Sequence, residues 1–166
     1  FRDQQVMQTS AGREFMTVFN AWYYSFSPSI ASFIASNPPV RAAMKILLYP
    51  LVGILHLSAS AYAGFNFNPE LAVCVAGLLA SGMIGIVYFS PLALTVLAIF
   101  RRRKLSVSMR NVVPLASIWA ANTAMLVLSV LISSSAAMMA TSTIFVLTTI
   151  ALTGVPTALK VLQKLP

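Results

Sequence analysis

LAVCVAGLLASGMIGIVYFSPLALTVLAIF, residues 71–100, followed at once by Arg101-Arg102-Arg103-Lys104, decides the fold. Thirty residues pass without an acidic or basic side chain, more than the roughly 20 that a helix needs to cross the hydrocarbon of a bilayer. Four consecutive cations then mark where the chain leaves it. Asn68-Pro69-Glu70 opens the segment. Asn supplies an N-cap, Pro fits the first helical turn, and the carboxylate suits the positive end of the helix. The excess length predicts tilt, or a bend at Pro91.

Working outward, three further spans appear, at 42–65, 112–132 and 136–159. The first follows a second start signal, Asn37-Pro38-Pro39, and holds Pro50 and Gly53. The whole chain has 166 residues, 58% hydrophobic and 8% charged, with a mean hydropathy of +0.85. A soluble domain carries about 25% charged residues, so the composition belongs to the bilayer. The expected fold is an all-α membrane protein, with four transmembrane helices over residues 41–166 preceded by an amphipathic interfacial segment over residues 1–40.

The charges test that segmentation. Arg2, Arg13, Arg41 and Lys45 precede or open the first span. Arg101, Arg102, Arg103, Lys104 and Arg110 separate the second from the third, and Lys160 and Lys164 follow the fourth. Four spans put all 11 cations on one side, which the positive-inside rule makes cytoplasmic. Both termini of a multi-pass chain in the cell membrane are then expected there. The basic excess, +8 overall, reads as topology signal and as contact with anionic headgroups at Arg101, Arg102, Arg103 and Lys104. It does not form the broad basic face that nucleic acid requires. The chain begins at Phe1 rather than Met, which points to residues upstream.

In the first forty residues Phe15, Phe19, Trp22 and Phe26 recur at spacings of four, three and four. They share one helical face, with Tyr23 beside them, and Arg13, Glu14, Thr17 and Asn20 lie largely off it. Such a helix is expected at the membrane surface, its aromatic rings at headgroup depth. A small packed helical domain fits the same periodicity. Ser27-Pro28 predicts a new start and a short helix to about Ser36.

Helices in lipid gain little from burying apolar side chains on one another, so close packing favours small residues four apart. Such stripes occur at Gly77, Ser81 and Gly85, at Ala116, Ala120 and Ala124, and at Ser133, Ala137 and Thr141, with Ala136 and Ala140 alongside. At least one of the three is expected to meet a partner subunit. Asn122, in mid-span, is expected to hydrogen-bond across a helix interface.

Catalytic signatures are missing: the sequence has no Ser-His-Asp set, no glycine-rich phosphate loop and no carboxylate pair. His56 and Cys74 fall at similar depth in a hairpin of the first two spans. Two ligands do not make a zinc or copper site, which takes three or four, and a hydrogen-bonding His is the plainer reading. Met138 and Met139 are soft donors for copper(I), yet scattered methionines more often fill packing gaps. Cys74 has no second cysteine to pair with. No catalytic residue, cofactor or metal is expected.

Phe1-Arg2-Asp3, Ser10-Ala11-Gly12 and then Tyr23-Tyr24-Ser25-Phe26-Ser27-Pro28-Ser29-Ile30-Ala31-Ser32-Phe33-Ile34 resemble the CFI-box-CTERM family over about the first 45 residues. The Cys-Phe-Ile box that names the family lies upstream of this segment and is not in this chain. The membrane portion looks most like archaeal versions of the family, including those of ammonia oxidisers. The resemblance implies an architecture, and by analogy an accessory role in a complex such as the archaeal copper membrane monooxygenase that oxidises ammonia. The function expected is therefore a non-catalytic subunit of a multi-subunit membrane complex. A membrane anchor for an upstream soluble domain is the alternative, and a small transporter or membrane enzyme the less favoured one.

Overall fold

A computed structural model describes residues 5–65, 68–102, 110 and 112–164. The described residues form a 3-10 turn, Val6–Gln8, and six α-helices: α1 (Ser10–Ser36), α2 (Pro38–Ala63), α3 (Pro69–Ile84), α4 (Ser90–Arg102), α5 (Val112–Leu131) and α6 (Ser135–Lys164). A π turn, Gly85–Phe89, joins α3 to α4 without a break. Among the described residues, four helical stretches are long and apolar enough to cross a membrane: Pro38–Ala63, Pro69–Ile99, Val112–Leu131 and Ser135–Lys164. These are the four expected spans, and α1 precedes them.

The π turn answers the question of where the long second span adjusts. Pro91 has no N–H, and its ring crowds the carbonyl one turn back. The wider turn lies just before it: the Ser90 N–H bonds to Gly85 O, five residues earlier. A π turn is a known way to absorb such a misfit.

Helix starts follow the sequence signals with two exceptions. Asn68 caps α3 as expected, its side chain accepting from the Leu71 N–H at 3.2 Å. Asn37 stands before Pro38, but its Nδ2 donates backward to Phe33 O at 2.7 Å, so its side chain closes α1 and leaves α2 uncapped by it. Pro28 starts no helix: α1 runs through it. One proline removes one backbone hydrogen bond, and the rings on its N-terminal side, Trp22 and Phe26 with centroids 4.7 Å apart, stay in helical register.

α6 is the element on which α1, α3, the π turn, α4 and α5 all pack, whereas α2 lies mainly on α3. One apolar cluster joins Ala11, Leu126 and Phe145, and another joins Leu97, Ala158 and Leu159. Between α5 and α6 the chain turns at Ser133, whose φ of 52° is the left-handed geometry of a helix C-cap. Bonds from Ser133 N to Val130 O and from Ser134 N to Ser129 O close that cap. Ser133 therefore belongs to the turn and not to the stripe on α6.

Candidate functional site

The small-residue stripes separate into inward and outward ones. Gly85 is buried against α6: a Cβ there would stand 2.5 Å from Ile150 O and collide with the Thr153 hydroxyl. Gly154 faces it, where a Cβ would lie 2.7 Å from Gly85 O and 2.6 Å from Phe89 Cδ1. Two backbones touch here, and only glycine on both sides lets them. Ser81 is 2% exposed, its hydroxyl donating to Gly77 O at 2.6 Å. Gly77, half-buried, has nothing within 4 Å of a Cβ. The stripe thus divides, with Ser81 and Gly85 serving the chain itself and Gly77 open.

The α5–α6 seam does not use the alanine stripe. It is built from hydrogen bonds: Trp119 Nε1 to Thr149 Oγ1 at 2.8 Å, Asn122 Nδ2 to Thr141 O at 2.9 Å, and Ser129 Oγ to Thr141 Oγ1 at 3.2 Å. Asn122 bonds across the interface as expected. Thr141 is buried, and its hydroxyl also donates to the carbonyl of half-buried Ala137 at 2.7 Å. Ala120 and Ala124 are exposed and Ala116 half-buried, on the face of α5 turned away from the seam.

The aromatic residues of α1, expected from the sequence at the membrane surface, stack on each other. Phe15, Phe19, Trp22 and Phe26 make a continuous run of ring contacts, with centroids 6.0, 6.0 and 4.7 Å apart, and Tyr23 stacks on Phe19 at 5.9 Å. Trp22 is 60% exposed. The face of α1 that enters the bundle carries Ala11, Gly12 and Met16 instead. Gly12 has no room for a side chain, because a Cβ would strike Val6 O and the Thr9 hydroxyl. That same hydroxyl caps α1 by accepting from the Gly12 N–H at 3.2 Å.

One contact had no signal in the sequence. Glu70, in the first turn of α3, accepts the Ser10 N–H through Oε1 at 2.7 Å, across 60 residues of chain. Its carboxylate thereby serves the positive ends of two helices, and Oε2 is buried without a partner among the described residues. Gly154 was equally silent, since nothing local marks a glycine as the far side of another helix's contact.

No group of three or more His, Cys, Asp and Glu side chains placed to hold a metal occurs among the described residues. His56 is exposed on α2 and Cys74 half-buried on α3. Met138 is buried in the bundle, where a flexible thioether packs well. Arg101 and Arg102 fall in the last turn of α4; Arg103 and Lys104 lie outside the described residues, as do Phe1, Arg2 and Asp3. Compared with protein families, with curated proteins and with solved structures, the chain matches none.

Proposed function

We propose that this chain is a non-catalytic packing subunit of a larger integral membrane assembly, held in the cell membrane with its basic end toward the cytoplasm. The observation that carries the reading is the pair of exposed small residues on α5, Ala120 and Ala124, with half-buried Ala116 in line with them, on the side away from the α5–α6 seam. Small residues of this kind let a second helix approach closely, and among the described residues Ala120 and Ala124 stay exposed. The candidate spans agree, since 11% of the apolar window of α2 and 28% of that of α6 are buried within the chain. Arg101–Lys104 would meet anionic headgroups at the cytoplasmic face.

The likeness of the membrane portion to archaeal versions of the family, including those of ammonia oxidisers, suggests by analogy one such assembly, the archaeal copper membrane monooxygenase that oxidises ammonia. The test is solubilisation in a mild detergent followed by identification of the chains that migrate with this one. A large particle with several other membrane polypeptides is the expected result, and subunits of that oxygenase among them would support the narrower assignment. Recovery solely as a monomer would overturn the reading.

A further inference from the structure

We infer that α1 is a fifth membrane crossing, its exposed aromatic face set against lipid acyl chains, so that Gln5–Ser10 lies on the side opposite the basic loops. The inference rests on the reading that α2 to α6 span the membrane with the basic end cytoplasmic.

Both ends of α1 are fixed. Its first amide, on Ser10, is bonded to Glu70 at the head of α3. Its last turn is joined to α2 through Asn37 alone, and the Arg41 guanidinium donates to Ala35 O. α2 and α3 are an antiparallel hairpin, with the Tyr88 hydroxyl donating to Leu47 O far from the turn at Gly64. Pro38 therefore stands at the end of the hairpin away from Glu70. α2 has 26 residues and α1 has 27, each about 40 Å long. Two equal helices that meet at Asn37, with their other ends brought together near Glu70, must lie side by side. α1 thus runs the full depth that α2 runs.

The residues suit that course. No Asp, Glu, Lys, Arg or His occurs from residue 15 to residue 40, longer than the roughly 20 residues a crossing takes. An interfacial helix needs a charged face for water, and this stretch offers none. Three of the serines that lower its hydropathy are satisfied within the helix. Ser25 donates to Trp22 O at 2.6 Å, Ser32 to Ser29 O at 2.8 Å and Ser36 to Phe33 O at 2.9 Å. Hydroxyls bonded to their own backbone enter hydrocarbon at low cost. The described charges then divide by face: Glu14 and Glu70 at one end with Arg13, and Arg41, Lys45, Arg101, Arg102, Arg110, Lys160 and Lys164 at the other.

Two measurements test it on the full-length chain in its native membrane or in liposomes. In a Cys74→Ala background, Gln5→Cys, Ser135→Cys and Gln163→Cys are exposed in turn to a membrane-impermeant maleimide on intact cells. Gln5→Cys should label with Ser135→Cys before permeabilisation, and Gln163→Cys only after it. Gln5→Cys behaving like Gln163→Cys, while Ser135→Cys labels from outside, overturns the crossing of α1 alone. Failure of Ser135→Cys and Gln163→Cys to label on opposite faces overturns the spanning frame beneath it. The second readout is Trp22 fluorescence in a Trp119→Phe background, in liposomes of phosphatidylcholine brominated at shallow or deep acyl positions. Trp22 sits midway along α1, so deep bromines should quench it several-fold more than shallow ones; stronger quenching by shallow bromines, the signature of headgroup depth, would overturn the inference.

Discussion

Two pairs of neighbouring helices in this chain are joined by short turns, and they cohere in different ways. α5 and α6 share a seam of hydrogen bonds from Trp119, Asn122 and Ser129 to Thr149 and Thr141. α1 and α2 meet at their turn through Arg41 and Asn37 and otherwise present Trp22, Tyr24, Phe33, Ile46 and Tyr49 outward. In hydrocarbon an apolar side chain is as well placed against lipid as against another helix. Association then follows hydrogen bonds and small residues, and α6 has them at almost every turn: Thr141, Ser142, Thr149, Gly154 and Ala158 are all buried. α2 buries Ser58 and Ile54. The comparison identifies α6 as the hub, and α1 and α2 as helices that pack on α6 and α3 respectively more than on each other.

The most damaging single change should fall at the hub. Gly85→Leu or Gly154→Leu drives a side chain into the facing backbone, and overpacking of this kind costs about 3 kcal/mol or more. Either variant should lose its cooperative thermal transition in detergent and aggregate on size exclusion. Gly77→Leu, on the same helix face as Gly85 by spacing, should keep the wild-type melting profile, because nothing lies within 4 Å of where its Cβ would stand. Equal destabilisation by Gly77→Leu and Gly85→Leu would erase the distinction between the inward and outward halves of that stripe. A smaller loss is expected from Asn122→Leu, which removes one interhelical bond worth about 1 kcal/mol. Its melting temperature should fall modestly with the particle size unchanged.

The helices were legible from Asn68-Pro69-Glu70, from the Arg101–Lys104 run and from uninterrupted apolar length, because those signals act within a few residues of themselves. Pro28 misled for the same reason: locally it resembles a start, and what keeps α1 continuous is the chain on both sides of it. The small-residue stripes were visible, but spacing alone does not say which neighbour a stripe faces. Gly85 found its partner in Gly154, nearly seventy residues on, while Ala120 and Ala124 stay exposed among the described residues. The Ser10–Glu70 bond links positions sixty apart in sequence and leaves no periodic trace at all.

Glu70→Gln sharpens the contrast at the start of α1. The amide oxygen can still accept from Ser10, but the charge that favours two helix N-termini is gone, at a cost of about 1 kcal/mol. Hydrogen exchange should rise in the first turn of α1, at Ser10 to Arg13, while the amides along the α5–α6 seam stay as protected as before. Exchange rising equally in both places would mean that α1 and the hub form one cooperative unit.

The smallest effect on the chain itself is expected on the far side of α5. Ala120→Leu and Ala124→Leu add bulk where the structure is open, and Leu favours helix at least as well as most residues. Stability of the isolated chain should change by no more than about 0.5 kcal/mol. If α5 turns this face to a partner helix, the same substitutions force the two helices apart, and the large particle recovered in mild detergent should dissociate. The two readouts together separate the alternatives, since a face that meets only lipid tolerates leucine in both. A stable monomer with a lost complex is the outcome that makes α5 a two-sided helix, with hydrogen bonds on the inside for its own chain and small residues on the outside for another.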